Sequence, residues 1–261
     1  MYLLEIFMED SKKIDKSDLY LVIALVIVIV LQNMPSLRFL MYPFNLLATW
    51  IHEMGHGLTA ELMGGNFNKL VINSDTSGYA EYSYNPLTMG TFAKAIIGSA
   101  GYMGTAIFGT MMLFFRKKEG FVKAFSVLLG VFMIASLAIY IRSWIGVFFA
   151  VPFSGLLLFI GLYSNAEFNK FFYNFLASQI ALNTVLDIKV LFSIGNRTGG
   201  VMGLVNSQSD ASKVADLLIF PYWFWAGLWL LTSVLLFLFA FFKPLGGKSS
   251  QKEIAEESVV S

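Results

Sequence analysis

Cysteine is absent from this sequence, and histidine is scarce. The 261 residues include no cysteine and two histidines. The absence of cysteine excludes disulfide bonds and thiolate metal sites. A transition-metal site in this chain must therefore be built from histidine and carboxylate ligands.

Charge is also sparse. Charged residues make up 13% of the chain and hydrophobic residues 57%, whereas soluble domains carry about 25% and about 45–50% respectively. Polar residues are thus too few to cover the surface of a soluble protein of this size. The net charge of +1 gives no basic field that would favour nucleic acid as a partner. The composition predicts an integral membrane protein surrounded by the lipid bilayer.

Long apolar runs recur along the chain, and about 20 apolar residues in a helix span the hydrocarbon core of a bilayer. Seven segments are candidates by this criterion: 19–33, 37–63, 89–115, 121–141, 144–163, 171–192 and 217–242. They indicate an all-α polytopic membrane protein with six to seven transmembrane helices. We expect a polar N-terminal extension, a transmembrane domain and a disordered polar tail, at residues 1–18, 19–242 and 243–261.

Two stretches do not fit a membrane helix. Residues 64–86 hold an apolar run and several tyrosines on either side of Asp75 and Gly78. This pattern predicts a small β-hairpin with a glycine-bearing turn, directly after the second apolar segment. Residues 193–212 are rich in glycine and polar side chains, which is typical of an exposed loop or of a re-entrant segment that lines a cavity.

Basic residues form two clusters that bear on orientation in the membrane. One precedes the first apolar segment and the other follows the third: Lys12, Lys13 and Lys16, and Arg116, Lys117, Lys118 and Lys123. If all seven segments cross the bilayer, the two clusters lie on opposite sides. The positive-inside rule then assigns no orientation.

The second apolar segment contains the motif His52-Glu53-Met54-Gly55-His56, and its histidines are the only two in the chain. On a helix, residues four apart lie one above the other, so both imidazoles can reach one zinc ion. Glu53 lies on an adjoining edge of that face. It can act as a catalytic acid/base towards a water at the metal without being a ligand.

Each of these residues also has an ordinary explanation. A single membrane histidine commonly forms a hydrogen bond between helices, and a single glutamate commonly belongs to a proton or ion pathway. Here two histidines and a glutamate lie within five residues of an apolar helix. Burying them without a metal or a partner is unfavourable, so the pattern favours a zinc site.

A catalytic zinc usually has three protein ligands, and the third must here be Asp or Glu. Asp187 is the first candidate, because it lies on an apolar segment one turn after Asn183. The Asn183 amide could donate to that carboxylate, or to the substrate carbonyl in the transition state. Asp210, in the glycine-containing stretch, is the second candidate. Asp216 begins the last apolar segment, and Glu61 lies too far along the motif helix to join the site.

The sequence resembles the peptidase M50B-like group of the site-2 protease class of intramembrane zinc metalloproteases. The resemblance covers residues 45–240. It rests on the motif at 52–57 and on five further stretches, namely 63–65, 71–78, 98–104, 182–187 and 209–211. It implies a membrane-embedded Zn²⁺ and hydrolysis of peptide bonds in or near transmembrane segments of membrane protein or peptide substrates. The family's usual Leu-Asp-Gly is here Leu186-Asp187-Ile188, with no glycine after the aspartate.

Two other functions use the same residues. A catalytically inactive zinc-binding membrane scaffold or chaperone would keep the whole motif. An ion transporter would be expected to carry charged residues in several spans, and the few acidic residues within the apolar segments argue against it. In a protease, the hairpin could hold an unwound substrate by strand addition.

Overall fold

The structure of the protein, a computed structural model, describes residues 15–197 and 209–245. Within them the chain is mostly helical. Seven long helices are α1 (Lys16–Asn33), α2 (Tyr42–Leu62), α3 (Thr91–Phe115), α4 (Glu119–Ile139), α5 (Trp144–Tyr163), α6 (Ala166–Arg197) and α8 (Tyr222–Phe242). The shorter elements are a 3-10 helix (Arg38–Met41), strands β1 (Asn66–Ile72) and β2 (Gly78–Ser83), and helix α7 (Asp210–Leu217).

Five of the long helices are long and apolar enough to cross a membrane, namely α1, α3, α4, α5 and α8. The predicted fold class is confirmed, and the protein is an integral multi-pass membrane protein. The remaining two long helices, α2 and α6, coincide with the second and sixth predicted segments. They are the more polar pair, and they carry the histidine motif and Asn183 respectively.

The sixth segment begins earlier than predicted. Residues 165–170, expected to be a connection, belong almost entirely to the first turn of α6. The Asn165 side chain accepts a hydrogen bond from the Phe168 amide at 2.8 Å, which caps the helix as a short polar side chain typically does. Of the other predicted regions, residues 1–14, 198–208 and 246–261 lie outside the described part, so the N-terminal extension, the glycine-rich stretch and the polar tail fall largely there.

Ion pairs join the ends of several helices on one face of the bundle. Asp18 of α1 contacts Arg116 at 2.8 Å and Lys117 at 2.6 Å, at the end of α3. Lys170 of α6 pairs with Glu119 of α4. We call this side the ion-paired face. Lys16, the member of the first basic cluster that falls within the described residues, lies at this same face as Arg116 and Lys117 of the second cluster. A crossing by all seven segments would have placed the two clusters on opposite sides.

The hairpin is confirmed, with one difference at its turn. β1 and β2 pair antiparallel from Asn66↔Ser83 to Ile72↔Gly78. The residue with positive φ is Thr76, at +69°, and not a glycine. Gly78 instead allows close approach to α2, since a Cβ there would lie 2.8 Å from the Thr49 Cγ2 atom.

Helix α2 is held closely against its neighbours. A Cβ on Gly55 would lie 2.5 Å from the Ala100 carbonyl oxygen of α3, so the two backbones approach as small residues permit. On another side, the buried Trp50 donates a hydrogen bond to Ser136 of α4 at 3.0 Å. These contacts set the position of the histidine motif relative to α3.

Candidate metal centre

The two histidines of α2 point towards α3, one turn apart. His56 is buried, and its Nδ1 lies 2.7 Å from the carbonyl oxygen of Ile97. A carbonyl only accepts, so Nδ1 carries the proton and Nε2 keeps its lone pair for a ligand. Orientation of a metal-binding histidine by a backbone carbonyl is typical of protein metal sites.

Asp210 completes a compact group with the two imidazoles. Its Oδ2 atom lies 3.1 Å from Nε2 of His52 and 3.1 Å from Nε2 of His56, and the two Nε2 atoms are 3.1 Å apart. Among the described residues, these three form the group of His and acidic side chains whose ligand atoms converge closely enough for a metal ion. The other carboxylate oxygen, Oδ1, accepts from Lys213 at 3.2 Å.

The spacing of these three ligand atoms fits a zinc ion. Tetrahedral zinc with bonds of about 2.0–2.1 Å to nitrogen and oxygen separates neighbouring ligand atoms by ~3.3–3.4 Å. The three observed separations of 3.1 Å are close to that spacing. Two imidazoles and one carboxylate are a common ligand set of catalytic zinc sites, and three ligands leave a fourth position open.

Packing of α7 determines the position of Asp210, which is the first residue of that helix. Ser209 caps the helix, and its side chain accepts from the Ser212 amide. Ala211 and Val214 are fully buried against α3 and α8, in a cluster that includes Trp229. The short helix is therefore anchored by its apolar face, and its first turn presents the carboxylate to α2.

Gly101 on α3 makes room for the two imidazoles. A Cβ at this position would collide with Nε2 of both His52 and His56. No side chain larger than hydrogen fits there while the rings keep their places. Residues 98–104 are among the stretches that carry the family resemblance. The sequence does not single out Gly101 within them, because its neighbours in space become known only once α2 and α3 are packed.

Tyr102 is a second residue of the centre that the sequence did not indicate. Its ring meets the His52 ring edge-on, with centroids 4.7 Å apart, and stacks on Trp229 of α8 at 5.3 Å. Contacts of this kind restrict the orientation of the imidazole. No spacing in the sequence relates Tyr102 to His52 or Trp229, so no local pattern could have found it.

Glu53 lies next to His52 in the chain but does not belong to the converging group. Its side chain is buried at 8% exposure, and its Cγ would lie 3.2 Å from a Cβ placed on Gly78 of β2. The start of β2 thus covers Glu53, and a hairpin strand runs past the centre. On the same strand, burial and then the charge of Asp210 raise the pKa of Tyr82, which keeps its hydroxyl protonated.

Of the two carboxylate candidates, the structure brings Asp210 to the two histidines and leaves Asp187 outside their group. Asp187 is near enough to His52 for their charges to interact, but it lies outside the converging group. Asn183 bonds elsewhere: its amide donates to Asn45 and accepts from Gln32, both at 3.2 Å. The sequence favoured Asp187 for its place on a long apolar segment, whereas tertiary packing brings a short helix from a less apolar region to the histidines.

The two remaining acidic candidates are not at the centre. Asp216 is exposed, near the end of α7. Glu61 accepts hydrogen bonds from the Tyr140 hydroxyl at 3.1–3.2 Å, which agrees with its expected exclusion. Both lie outside the group of converging ligand atoms.

Comparison with known proteins identifies one family that matches the chain. The family model described as Peptidase M50B-like matches residues 20–240. This range includes the motif helix, the hairpin, and the helix that carries Asp210. No curated protein and no solved structure matches the chain.

Proposed function

The chain belongs to the peptidase M50B-like family, a family of membrane metalloproteases of the site-2 protease class, and on that premise we propose that it is a zinc-dependent intramembrane endopeptidase. Its substrates are membrane proteins or peptides, cut in or near a transmembrane segment. The observation that carries the proposal is the convergence of His52, His56 and Asp210 beside a buried Glu53.

His52, His56 and Asp210 are the proposed zinc ligands. Zinc bound there supplies a Lewis acid that polarises the scissile carbonyl and makes water acidic enough to attack near neutral pH. The protein contributes fixed ligand positions. Ile97 holds the His56 ring, Tyr102 restricts the His52 ring, and Lys213 engages the outer oxygen of Asp210.

Glu53 is the proposed catalytic acid/base. It follows His52 directly on α2 and is shielded from solvent by the start of β2. In this position its carboxylate can take a proton from the attacking water and later deliver it to the leaving amine. Asn183 is assigned a positioning role, because its amide holds Asn45, which lies two turns before His52 on α2.

Strand β2 is the proposed holder of the unwound substrate. The edge of β1 that faces away from β2 is already paired, since Leu70 exchanges backbone hydrogen bonds with Tyr140 and Arg142 at 2.8 and 2.9 Å. In the described residues β2 pairs only with β1, so its outer edge has free donors and acceptors. A substrate strand added there would pass Gly78 and so come next to Glu53.

The test replaces Glu53 with glutamine in the full-length protein. Zinc content should stay at the wild-type level, because Glu53 is not a ligand. Cleavage of a fluorogenic transmembrane peptide in proteoliposomes should fall by about 10²–10⁴-fold, the usual contribution of a general base. Glu61→Gln is the matched control: it lies on the same helix, is bonded to Tyr140, and should leave cleavage unchanged.

Three results would overturn the proposal. Full cleavage by Glu53→Gln would remove the assigned role of Glu53. Zinc-loaded wild-type protein that cleaves no transmembrane peptide would support a catalytically inactive zinc-binding scaffold instead. An ion transporter would show zinc-independent ion flux in the same proteoliposomes.

A further inference from the structure

A cavity of about 600 Å³ lies on the ion-paired face, far in sequence from the metal centre. It is formed between the first three turns of α4 and the start of α6, and we call it the α4–α6 groove. Along α4 its wall runs from Gly120 to Leu128, a distance of about 12 Å at 1.5 Å per residue. Leu128 is 66% exposed, so the groove is open on its outer side.

The two ends of the groove differ in chemistry. The end near the start of α4 carries Lys123, Lys170 and Glu119, and the other end is lined by Val127 and Leu128. The groove is therefore amphipathic along its length. In a multi-pass membrane protein, this places a polar end at the helix termini and an apolar end towards the bilayer interior.

The polar end has one positive charge in excess. Lys170 and Glu119 form an ion pair, and these two charges balance. Lys123 makes no ion pair with any described residue. Around it, the described residues of the ion-paired face include more basic than acidic side chains: Lys16, Arg116, Lys117, Lys118, Lys123, Lys170 and Lys243 against Asp15, Asp18, Glu119 and Glu167.

We propose that the α4–α6 groove binds one anionic phospholipid, with its phosphate at Lys123 and an acyl chain along Val127 and Leu128. Basic pockets between transmembrane helices bind anionic lipid headgroups. A free phosphate would use the lysine but leave the apolar wall uncovered. A zwitterionic lipid would bring its own cation next to Lys123, so an anionic headgroup is the better match.

The floor of the groove explains what the lipid would stabilise. Asn169 of α6 is buried there at 4% exposure. Its side chain accepts from Ser126 of α4 at 3.1 Å and donates to the Ile160 carbonyl of α5 at 3.3 Å. A lipid seated above this junction would fill the gap between α4 and α6 and raise the stability of the folded protein by mass action.

The experiment measures lipid binding to the full-length protein by native mass spectrometry, with phosphatidylglycerol and phosphatidylcholine as probes. Phosphatidylglycerol should bind more tightly and raise the melting temperature. Lys123→Gln should weaken its binding about fivefold, the usual effect of one basic residue near the membrane surface. Gly120→Trp should abolish it by filling the groove, because a Cβ at Gly120 meets nothing within 4 Å and the variant keeps the fold.

Lys118→Gln is the matched control, because it removes the same charge from an exposed position on the same face that does not line the groove. It should change binding less than twofold. Equal losses in Lys118→Gln and Lys123→Gln would overturn the proposal in favour of general surface attraction. Equal binding of both lipids, full binding by Gly120→Trp, or displacement by inorganic phosphate at constant ionic strength would each overturn it as well.

Discussion

The metal centre and the ion-paired face both bury charged groups, but they satisfy them differently. At the ion-paired face, the buried Arg116 side chain donates to Asp18 and to the carbonyl oxygens of Leu113, Ala240 and Phe241. The two terminal nitrogens of its guanidinium group thus meet acceptors from three helices. A set of mutually compensating groups of this kind joins elements of a fold and requires no ligand.

At the metal centre, three atoms that can each bind a metal ion converge instead. The Nε2 atoms of His52 and His56 and the Oδ2 atom of Asp210 lie 3.1 Å from one another. His56 already uses its single proton on Ile97. Such a group is stable only with a cation, or a proton, between its members. Burial of charge therefore does not distinguish the two regions, whereas the balance of donors and acceptors does.

The largest expected effect separates the two aspartates near the histidines. Asp210→Ala should lower zinc affinity by at least about 100-fold, because loss of an outer partner of a ligand alone lowers it about 10–100-fold. Asp187→Ala should keep its zinc, since Asp187 lies outside the converging group. Zinc is measured by elemental analysis of the purified variants. Loss of zinc in Asp187→Ala with retention in Asp210→Ala would exchange the two assignments.

The next effect concerns stability at the other region. Arg116→Met should destabilise the protein by about 3–5 kcal/mol, because Asp18 and three carbonyls lose a buried charged donor. Zinc content of the folded fraction should stay unchanged, since the cluster lies at the opposite end of α3 from the histidines. Thermal unfolding in detergent gives the stability. Lys118→Met, exposed in the same loop, is the control and should change it little.

A smaller effect is expected from the space beside the imidazoles. Gly101→Ala should weaken zinc binding about 10–100-fold, because its methyl group would displace both rings. Gly104→Ala is the matched control on the same helix, where the nearest atom to a Cβ is the Gly55 Cα at 3.6 Å, an ordinary contact. Zinc affinity is measured by chelator competition. Equal affinities in the two variants would mean that the rings do not depend on Gly101.

Much of the fold could be predicted from the sequence because membrane helices are dictated by local composition. The seven apolar segments correspond to the seven long helices, and the hairpin was found from its apolar run and tyrosines. The misjudged start of α6 came from the polar stretch 165–170, whose side chains cap the helix and bond to other helices. The position of Lys16 on the same face as Arg116 and Lys117 was not predicted, because it depends on how α2 and the hairpin connect α1 to α3.

Within the centre, the sequence by itself determined that the two imidazoles lie on one side of α2 with Glu53 next to them in the chain. Helical periodicity is local, so a spacing of four residues puts both rings on one side of α2 whatever surrounds it. Only the tertiary structure decided which carboxylate lies at the histidines, namely Asp210. It also decided that Gly101 lies beside both imidazoles and that Tyr102 contacts His52. These contacts arise from the burial of Ala211 and Val214 between α3 and α8 and from the close approach of α2 to α3. Contacts between segments far apart in the chain leave no periodic pattern in the sequence, so they cannot be predicted without the tertiary structure.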